Sequence, residues 1–450
     1  MGNAFSKKFI KSFFVVAMPM ILQQTLAASV QLVDNFMVGQ LGESAISGVA
    51  SVNQIFFIGM LLVFGITGGA GIYTAQFYGD RNFDKLKQSY RLKIVCSIGI
   101  SILIMAISII FRESLVGLFL DEGSTAFEMA KSYIVIGAFG LIPMALNTAI
   151  GSTFREIARP IYPTMATTTS ILLNTFLNWV LIFGNLGMPA MGVEGAAIAT
   201  VTARTVESML MLLLVKYKGK EFSTRLVNMY RIQKELIKKI FEKAIPLAMN
   251  ELLWSTGTTV LFFAYALRGE EQLAGHSIAY TIFQLAFVVF SGVGVAVSVM
   301  VGNELGADNI EKARENSKNI MILGATMATV MGLAVFLLSG QILSFYNINE
   351  LAYKVAKTNI GTLALFFPAI LINVSIFFSM RAGGDTKSTL IMDAVFTWVV
   401  PVPLALFMGY FTDLPIYTMF FYVSLTEVLK LVLAVYRYRK GYWLQNLTKA

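Results

Sequence analysis

Cysteine and histidine are nearly absent from this sequence. Its 450 residues include one of each, Cys96 and His276. A lone cysteine forms no intramolecular disulfide, and these two residues together cannot complete a zinc site. The sequence has no HExxH motif, and we find no nucleophile accompanied by a base. We therefore do not expect an enzyme, and we expect no cofactor.

Charged residues are also scarce. They make up 14% of the chain, whereas soluble domains carry about 25%. Hydrophobic residues make up 56%, and the mean hydropathy is +0.69. Long apolar runs recur along the chain, and runs of about 18 residues or more can cross a bilayer as helices. We predict an all-α integral membrane protein with about 12 transmembrane helices, the seventh centred near residue 256.

The net charge of +9 raises the question of nucleic-acid binding. If both termini lie in the cytoplasm, 28 of the Lys and Arg residues fall on the cytoplasmic side and 5 on the outer side. This asymmetry is the positive-inside pattern of multi-pass membrane proteins. It explains the charge without a nucleic-acid partner. We therefore expect an inner or plasma membrane protein with both termini in the cytoplasm.

The second half of the chain repeats the first at a constant offset. One register without gaps holds from Ala17 to Lys85. The aligned identities include Ala17 with Ala244, Pro19 with Pro246, Phe36 with Phe263, Gly42 with Gly269, Gly65 with Gly292, Gly79 with Gly306, Asn82 with Asn309 and Lys85 with Lys312. Chance similarity would not keep glycine, proline and charge in one register, so the sequence indicates a duplication.

The repeat predicts two lobes of six helices each. Residues 1–215 form the N-terminal lobe, residues 216–243 a basic cytoplasmic linker, and residues 244–450 the C-terminal lobe. Because six is an even number, both halves enter the membrane in the same sense. A pseudo-two-fold axis along the membrane normal should relate them, with a substrate cavity between. Within the linker, residues 232–241 could form an amphipathic helix on the inner leaflet or an irregular loop.

An acidic residue interrupts the first apolar run. Asp34 lies in the stretch QLVDNFMVG, and a carboxylate at the middle of a transmembrane helix costs roughly 2.5–3.5 kcal/mol to insert. Gln24 and Gln31 share its helix face, which should line a cavity or another polar helix because lipid cannot satisfy it. A neutral, hydrogen-bonded packing role is the alternative. The repeat aligns Asp34 with Leu261 and Gln24 with Glu251, so the halves carry different polar groups.

The fifth and sixth predicted helices add amide and hydroxyl groups. Asn174 and Asn178 are four residues apart and share one helix face, and Thr200 follows in the next helix. Carboxamide oxygens can bind a small cation, and carboxamides can also pair with a carboxylic acid. The alternative is hydrogen bonding between helices. Arg204 and Glu207 are three residues apart and are expected to form an ion pair.

The second half carries polar groups of its own. Acidic residues that line a cavity attract cationic substrates, and aromatic faces add cation–π attraction. The residues that we assign to the substrate cavity are Gln24, Gln31, Glu251, Tyr280, Gln284, Asn373 and Asp393. For His276 a structural role is favoured over proton transfer.

Several segments of the sequence contain motifs that are seen together in one family. The first predicted helix, AMPMILQQTLAASVQLVDNFMVGQLG, has an early proline and a deep Asp. LLNTFLNWVLIFG and GVEGAAIATVTAR form the fifth and sixth predicted helices, and FREIARPIYPTM and MRAGGDTKSTL are repeated cytoplasmic loops. These segments resemble the corresponding helices and loops of the multidrug and toxic compound extrusion (MATE) proteins of bacterial type. The resemblance spans nearly the whole chain, and the order of the motifs is more specific than any single motif.

The resemblance implies a function and a site. Members of the family export organic cations and other drugs in exchange for H⁺ or Na⁺ that enters down its gradient. The ion site that the resemblance implies consists of Asp34, Asn174, Asn178 and Thr200. Many members have Asp where this chain has Asn178. That difference leaves Asp34 as the only anion of the four and slightly favours H⁺; Na⁺ at Asp34 would be the one bound metal.

A flippase for lipids or lipid-linked oligosaccharides, from the same superfamily, is the alternative function. It would need a more cationic cavity to hold a diphosphate, and the basic residues within the predicted helices are chiefly Arg204 and Lys430. A passive channel would not explain the duplicated halves. We expect a monomer in the lipid bilayer that transports small, cationic, amphipathic molecules.

Overall fold

The computed structural model describes residues 5–449. All regular secondary structure in that part of the chain is helical, so the predicted all-α class is confirmed. In chain order the helices are α1 (Lys7–Gly39), α2 (Glu43–Gly79), α3 (Phe83–Ile110), α4 (Arg112–Val116), α5 (Thr125–Ala138), α6 (Leu141–Glu156), α7 (Ile161–Phe183), α8 (Gly192–Lys218), α9 (Lys234–Ala266), α10 (Glu270–Gly306), α11 (Ile310–Leu343), α12 (Glu350–Ala382), α13 (Thr386–Leu390), α14 (Phe396–Val399), α15 (Pro401–Phe411) and α16 (Ile416–Arg439).

The number of membrane spans agrees with a multi-pass membrane protein. Ten helical segments of the described chain are long and apolar enough to cross a bilayer, and the pair α5–α6, bent by 48°, makes an eleventh. α9 covers the seventh predicted span. It has 33 residues, but polar residues such as Asn250 and Glu251 make it less apolar than the others.

The internal repeat extends to the backbone conformation. α2 and α10 each contain 37 residues, and they begin at Glu43 and Glu270, which the repeat aligns. Gly42 and Gly269, at the starts of these helices, both have positive φ angles, of 107° and 87°. After these helices, Arg81 and Asp308 both adopt left-handed conformations, with φ of 58° and 65°, which residues other than glycine rarely do. Equivalent positions of the two halves therefore share local structure as well as sequence.

The chain forms two compact units. The N-terminal unit is Leu22–Ala248, and the C-terminal unit comprises the described residues up to Ile21 and from Met249 onward. The two predicted lobes, residues 1–215 and 244–450, are each continuous in sequence. The boundaries between the observed units lie instead within α1 and within α9. The two division points are equivalent in the repeat, because Leu22 aligns with Met249.

Small residues allow α7 and α8 to pack closely. A Cβ atom added at Gly195 would lie 2.6 Å from the carbonyl oxygen of Leu181. Ala199 and Ala203 are buried on the same helix. This packing holds the polar residues of α7 against those of α8.

The linker between the halves differs from one of its predicted forms. α9 begins at Lys234, and Leu236 and Ile240 in its first turns are buried within the protein. Residues 232–241 are therefore not a separate amphipathic helix whose apolar face lies on lipid; most of them belong to α9. The segment before α9 is irregular apart from one 3₁₀ turn, and Phe222 packs there between Tyr90 and Phe154.

The penultimate span is broken rather than continuous. A π-helical turn, Ile391–Val395, separates α13 from α14, and Pro401 begins α15. Asp393 lies within the π turn, and its carbonyl oxygen accepts a 2.8 Å hydrogen bond from Thr397 Oγ1. Such turns are rare and often occur at functional sites.

Candidate functional site

In the N-terminal unit, Asp34 of α1 contacts α7. Asn178 Nδ2 donates a 2.8 Å hydrogen bond to Asp34 Oδ1. Asn178 is buried, and Asp34 is half-buried. An ionised carboxylate can only accept hydrogen bonds, so in an apolar environment it requires a donor such as this amide N–H. The acid predicted to be costly in the first helix is thus hydrogen bonded.

Asn174 and Thr200 extend this contact into a chain of polar groups. Asn178 Nδ2 lies 3.5 Å from Asn174 Oδ1, and Asn174 Nδ2 donates to Thr200 Oγ1 at 3.3 Å. Tyr133 of α5 is hydrogen bonded to Thr200 and lies near enough to Asp34 to be affected by its charge. The four residues assigned by resemblance therefore lie together. The sequence did not indicate Tyr133, because the apolar stretch around it has no polar periodicity.

One oxygen atom in this cluster lacks a hydrogen-bond donor. Among the described residues, Asn178 Oδ1 is buried without a partner. Because Asp34 can only accept when ionised, Asn178 must direct its nitrogen toward Asp34 and its oxygen elsewhere. A buried acceptor without a donor costs about 1–3 kcal/mol.

A second polar network connects α8 with α7 and α1. Arg204 Nη1 lies 3.3 Å from Glu207 Oε2, which confirms the predicted ion pair. Glu207 Oε1 accepts a 2.6 Å hydrogen bond from Thr167, whose hydroxyl accepts one of 3.0 Å from Gln23. Arg204 also acts on Asp34 through its charge. Since Glu207 balances that charge, Arg204 does not serve Asp34 as a dedicated counter-ion.

The predicted polar stripe of α1 is divided. Gln24 and Gln31 are exposed, and Gln31 Nε2 donates to Asn35 Oδ1 of the same helix at 3.3 Å. It is the neighbouring residue, Gln23, that is directed toward α7. Asp34 therefore belongs to the buried side of α1, whereas Gln24 and Gln31 belong to its exposed side.

The C-terminal unit contains a cavity of about 330 Å³ with a charged wall. Lys430 of α16 lies 2.7 Å from Asp393 and 3.6 Å from Glu427. Asn250 of α9 donates to Asp393 Oδ2 at 3.2 Å, and Asn373 of α12 donates to Glu427 Oε2 at 2.9 Å. All five side chains line the cavity. The wall thus consists of two carboxylates, two amides and one ammonium group.

The other residues predicted for the substrate cavity lie in different places. Glu251 lines the same cavity, 3.6 Å from Arg381 Nη1. Tyr280 lines a second cavity, of about 390 Å³, which adjoins the first and shares Trp254, Phe283, Ile370, Glu427 and Lys430 with it. Gln284 is exposed and lines neither of these two cavities. Of the predicted residues in the second half, Glu251, Asn373 and Asp393 are therefore the ones brought together.

Three residues of the charged wall were not assigned to the cavity from the sequence: Lys430, which was noted only as a basic residue within a helix, and Asn250 and Glu427, which were not noted at all. Glu427 and Lys430 are three residues apart on one helix, a spacing that is typical of ion pairs and could have revealed Glu427. Asn250 had no such signal. It is the residue before Glu251, and hydropathy does not determine which of two adjacent polar residues a helix turns toward its neighbour.

A buried ion pair in the N-terminal unit was also missed. Lys93 is one of the 28 basic residues that the charge count places on the cytoplasmic side, but its side chain is completely buried. Its ammonium group contacts Glu156 and donates to Ser152 at 3.2 Å. Gly71 leaves room for the Glu156 carboxylate, because a Cβ atom at this position would overlap it. The charge of this buried lysine is thus balanced within the unit.

The single histidine is buried among side chains that pack against it and form a hydrogen bond with it. His276 is buried, its Nδ1 lies 3.1 Å from Asn359 Nδ2, and its ring packs against Tyr265 at 4.5 Å between centroids. This environment agrees with the structural role favoured from the sequence.

Comparison with known proteins finds one family whose sequence model matches both halves of the chain. The sequence model of the MatE family matches residues 19–180 and again residues 246–407. The two matches begin at Pro19 and Pro246 and end at Val180 and Phe407. Both pairs are separated by the same number of residues as Ala17 and Ala244 of the internal repeat, so the family model recognises both halves of the duplication.

Similar relatives and solved structures match most of the chain. The probable multidrug resistance protein NorM of Thermotoga maritima is 23% identical over 401 residues, 88% of this chain and 85% of that protein. The NorM protein of Bradyrhizobium diazoefficiens is 24% identical over 92% of this chain and 89% of its own length. An outward-facing structure of a multidrug resistance MATE transporter superposes with a TM-score of 0.86 at 19% identity, covering 96% of this chain and 95% of that one.

Proposed function

Since the chain belongs to the MATE family of multidrug transporters, we propose that it is a secondary active antiporter that exports organic cations by alternating access. An inward gradient of H⁺ or Na⁺ would drive the export. We place it as a monomer in the plasma membrane with both termini in the cytoplasm. The main structural support for this proposal is the cluster that Asp34 forms with Asn174, Asn178 and Thr200.

Either coupling ion fits the chemistry of this cluster. A proton would neutralise Asp34, and an ionised acid inside a membrane is the costly species. Na⁺ is a hard cation that prefers oxygen ligands, which the carboxylate of Asp34, the amides of Asn174 and Asn178 and the hydroxyl of Thr200 could supply. With a single carboxylate among the four, we slightly favour H⁺.

Coupling requires that the ion and the drug favour different conformations of the protein. In our proposal the ion enters from outside, binds at Asp34 and changes the hydrogen bonds to Asn178, so that the drug is released. Release of the ion to the cytoplasm then resets the transporter. The cavity of the C-terminal unit is lined by three acids, Asp393, Glu427 and Glu251, and by two bases, Lys430 and Arg381, and this excess of acids supports a cationic drug.

The flippase alternative is less well supported. A diphosphate would need uncompensated basic groups, but the buried Lys93 and the partly buried Arg204 and Lys430 each pair with an acid of their own unit. Pairs of this kind leave little positive charge for an anionic ligand.

The test uses purified protein in liposomes. A fluorescent organic cation is followed under an imposed pH gradient and then under a Na⁺ gradient, with wild type, Asp34→Asn and the control Asp413→Asn. Asp413 is an exposed aspartate between α15 and α16. We expect one gradient to drive transport, Asp34→Asn to abolish it, and Asp413→Asn to retain it.

Transport that persists in Asp34→Asn would refute the assigned ion site. If neither gradient moves any cation, antiport itself is refuted, and labelled lipid-linked sugars become the substrate to test.

A further inference from the structure

One polar face of α7 connects two acids of the N-terminal unit. Spaced three or four residues apart, the polar residues of that face are Thr167, Ser170, Asn174 and Asn178. At one end Asn178 donates to Asp34, and at the other Thr167 donates to Glu207 Oε1 at 2.6 Å. Ser170 lies between them and donates to a backbone carbonyl oxygen of α8 at 3.0 Å. Asp34 and Glu207 therefore lie at the two ends of one polar contact between helices.

Arg204 of α8 interacts with both acids. Its Nη1 lies 3.3 Å from Glu207 Oε2, at the long end of hydrogen-bond distances, and its charge also acts on Asp34. Arginine has five N–H donors, and among the described residues this side chain uses one of them, toward Glu207. The Arg204 side chain is 38% exposed, whereas that of Glu207 is 3% exposed. Glu207 is thus fixed by its surroundings, and Arg204 is held by a single contact.

The position of Arg204 on α8 allows it to turn from one acid toward the other. It lies three residues before Glu207 and four residues after Thr200, which belongs to the Asp34 cluster. Residues three or four apart are neighbours on a helix surface. Long side chains on a helix point back toward its N-terminal end, which for Arg204 is the direction of Thr200. A change of side-chain torsions alone can therefore turn the guanidinium group toward the Asp34 cluster.

The other ionisable groups on the helices packed against α8 have partners of their own. On α5, Lys131 pairs with Glu128 at 2.9 Å, and Tyr133 is hydrogen bonded to Thr200. On α6, Lys93 of α3 contacts Glu156, and Arg155 interacts with the charge of Glu156; on α7 the ring of Tyr162 packs against Phe154. Within the described part of the chain, Arg204 is therefore the base that is available to Asp34.

The charges of the three groups make the position of Arg204 depend on the coupling ion. Asp34, Glu207 and Arg204 carry two negative charges and one positive charge when all are ionised. With an ion bound at Asp34, only Glu207 still attracts the guanidinium group. Once the ion has left, Asp34 is an ionised acid inside the membrane, which is costly, and it attracts Arg204 as well. Glu207 keeps its hydrogen bond from Thr167 in either case.

We propose that Arg204 is a positioning residue that turns toward Asp34 when the coupling ion leaves and returns to Glu207 when the ion binds. The ion and the guanidinium group then compete for Asp34, and Glu207 holds Arg204 aside while the ion is bound. This inference rests on the proposed function, because it requires an ion that binds at Asp34. It adds the pair Arg204–Glu207 to the ion-coupling machinery.

The test measures how much coupling ion the transporter needs. In the liposome assay, the transport rate of the fluorescent cation is followed against the concentration of the driving ion, set as Na⁺ concentration or as pH. In Glu207→Gln nothing holds Arg204 away from Asp34, so we expect half-saturation at about tenfold higher ion concentration. In Arg204→Gln the competitor is gone, so we expect it at about tenfold lower concentration. Coupling between sites typically has this magnitude.

The double variant distinguishes a moving Arg204 from a fixed charge. If Arg204 stayed in place, its charge and that of Glu207 would act on Asp34 independently, and the two opposite effects would cancel in the double variant. If Glu207 acts by holding Arg204, its replacement has no effect once Arg204 is gone. We therefore expect the double variant to behave like Arg204→Gln. A double variant that resembles wild type, or single variants that shift in the same direction, would overturn the inference.

Arg159 and Glu221 provide matched controls. They form an ion pair of the same chemistry in the same unit, at 2.6 Å, and Glu221 follows α8. Arg159→Gln and Glu221→Gln should leave the half-saturating ion concentration unchanged. If Glu207→Gln does not fold, Glu207→Asp replaces it. The shorter acid holds Arg204 less well, so half-saturation should still shift to higher ion concentration, by a smaller factor.

The outcome is separable from that of the proposed function. If a gradient drives transport that depends on Asp34 but half-saturation is the same in wild type, Glu207→Gln and Arg204→Gln, only this inference is overturned. If neither a pH gradient nor a Na⁺ gradient drives transport by the wild type, the proposed function fails, and this inference fails with it.

Discussion

Among the described residues, a buried asparagine donates to an acid at three places. Asn178 donates to Asp34, Asn250 to Asp393, and Asn373 to Glu427. In each pair the asparagine keeps a buried oxygen without a partner among the described residues. The pairs differ in the basic residue that lies near the acid. Lys430 lies beside both acids of the C-terminal unit, whereas the cation acting on Asp34 is Arg204, which is paired with Glu207.

The sequence was sufficient to locate one of these pairs and not the others. Asp34 and Asn178 could be found because a lone acid in an apolar run and two amides on one helix face are visible in the residues themselves, and a family resemblance connects them. The partnership of Asn250 with Asp393 depends on how α9 and the π turn are rotated about their axes. No periodicity in the sequence determines that rotation.

Replacing Asn178 by Asp should increase affinity for Na⁺. A second carboxylate adds attraction for a cation, and two unit charges 4 Å apart interact by about 4 kcal/mol at an effective dielectric constant of 20. Desolvation offsets part of this, so we expect about tenfold tighter binding. The measurement is the increase in Tm of the purified protein with NaCl relative to choline chloride, since a bound ion stabilises the folded state.

The double variant Asp34→Asn with Asn178→Asp is the matched control, because it returns the cluster to a single acid. It should lose the additional response to Na⁺. An equal response in wild type, single variant and double variant would show that the cluster does not bind Na⁺.

At the scale of elements, the last helix of each half is followed by an aromatic residue that packs against other aromatic rings of its unit. Phe222 follows α8 by four residues and contacts Tyr90 and Phe154. Trp443 follows α16 by four residues and stacks on Tyr438 at 5.0 Å between centroids. The sequence predicted a polar linker after α8 but not this buried ring, since one aromatic residue among charged ones gives no pattern.

Gly383 should be intolerant of a side chain because of Trp443. A Cβ atom at this position, just after α12, would overlap the backbone carbonyl group of Trp443, which cannot rotate away as a flexible side chain could. We expect Gly383→Ala to destabilise the protein by about 1–3 kcal/mol, as overpacking does. The Tm in detergent measures this effect.

Gly361→Ala in α12 is the control for Gly383→Ala. The nearest atom to a Cβ there belongs to Phe336 at 3.6 Å, an ordinary contact, and alanine favours a helix over glycine. This variant should melt no lower than wild type. An equal loss of Tm in both variants would mean that Trp443 is not the cause.

The attachment of the C-terminal segment to the turn between α10 and α11 should depend on pH. Hydrogen bonds from Lys449 and Asn446 hold the pKa of the exposed Asp308 carboxyl below its usual value. A lowered pKa means that the contact is fully present above the usual value, about 3.9, and is lost as the pH falls through the lower folded value.

Trp443 provides the readout for this contact. In a variant whose only tryptophan is Trp443, quenching by acrylamide should stay low from pH 7 to about 4 and rise only as the pH falls further, below the usual pKa of Asp of about 3.9. In an Asp308→Asn background the step should disappear. A step that remains there would have to be assigned to another group.

At the scale of the whole molecule, the duplication and the charge pattern explain most of what the sequence could predict. Both rest on many residues, so errors at single positions do not change the result. The bend between α5 and α6 and the π turn before α14 were not predicted, because each depends on a few residues that a hydropathy profile averages out. The burial of Lys93 was missed for the same reason, since it was counted with neighbouring cytoplasmic charges.

The orientation of the chain in the membrane should follow from its distribution of charge. With Cys96 replaced by Ser, single cysteines are introduced at Val227, in the linker, and at Asp413, between α15 and α16. Both positions are exposed, so a difference in labelling reports the side of the membrane rather than burial. In intact cells an impermeant maleimide should label position 413 and should reach position 227 only after permeabilisation. The opposite pattern would place the basic linker outside and would contradict the positive-inside interpretation of the +9 charge.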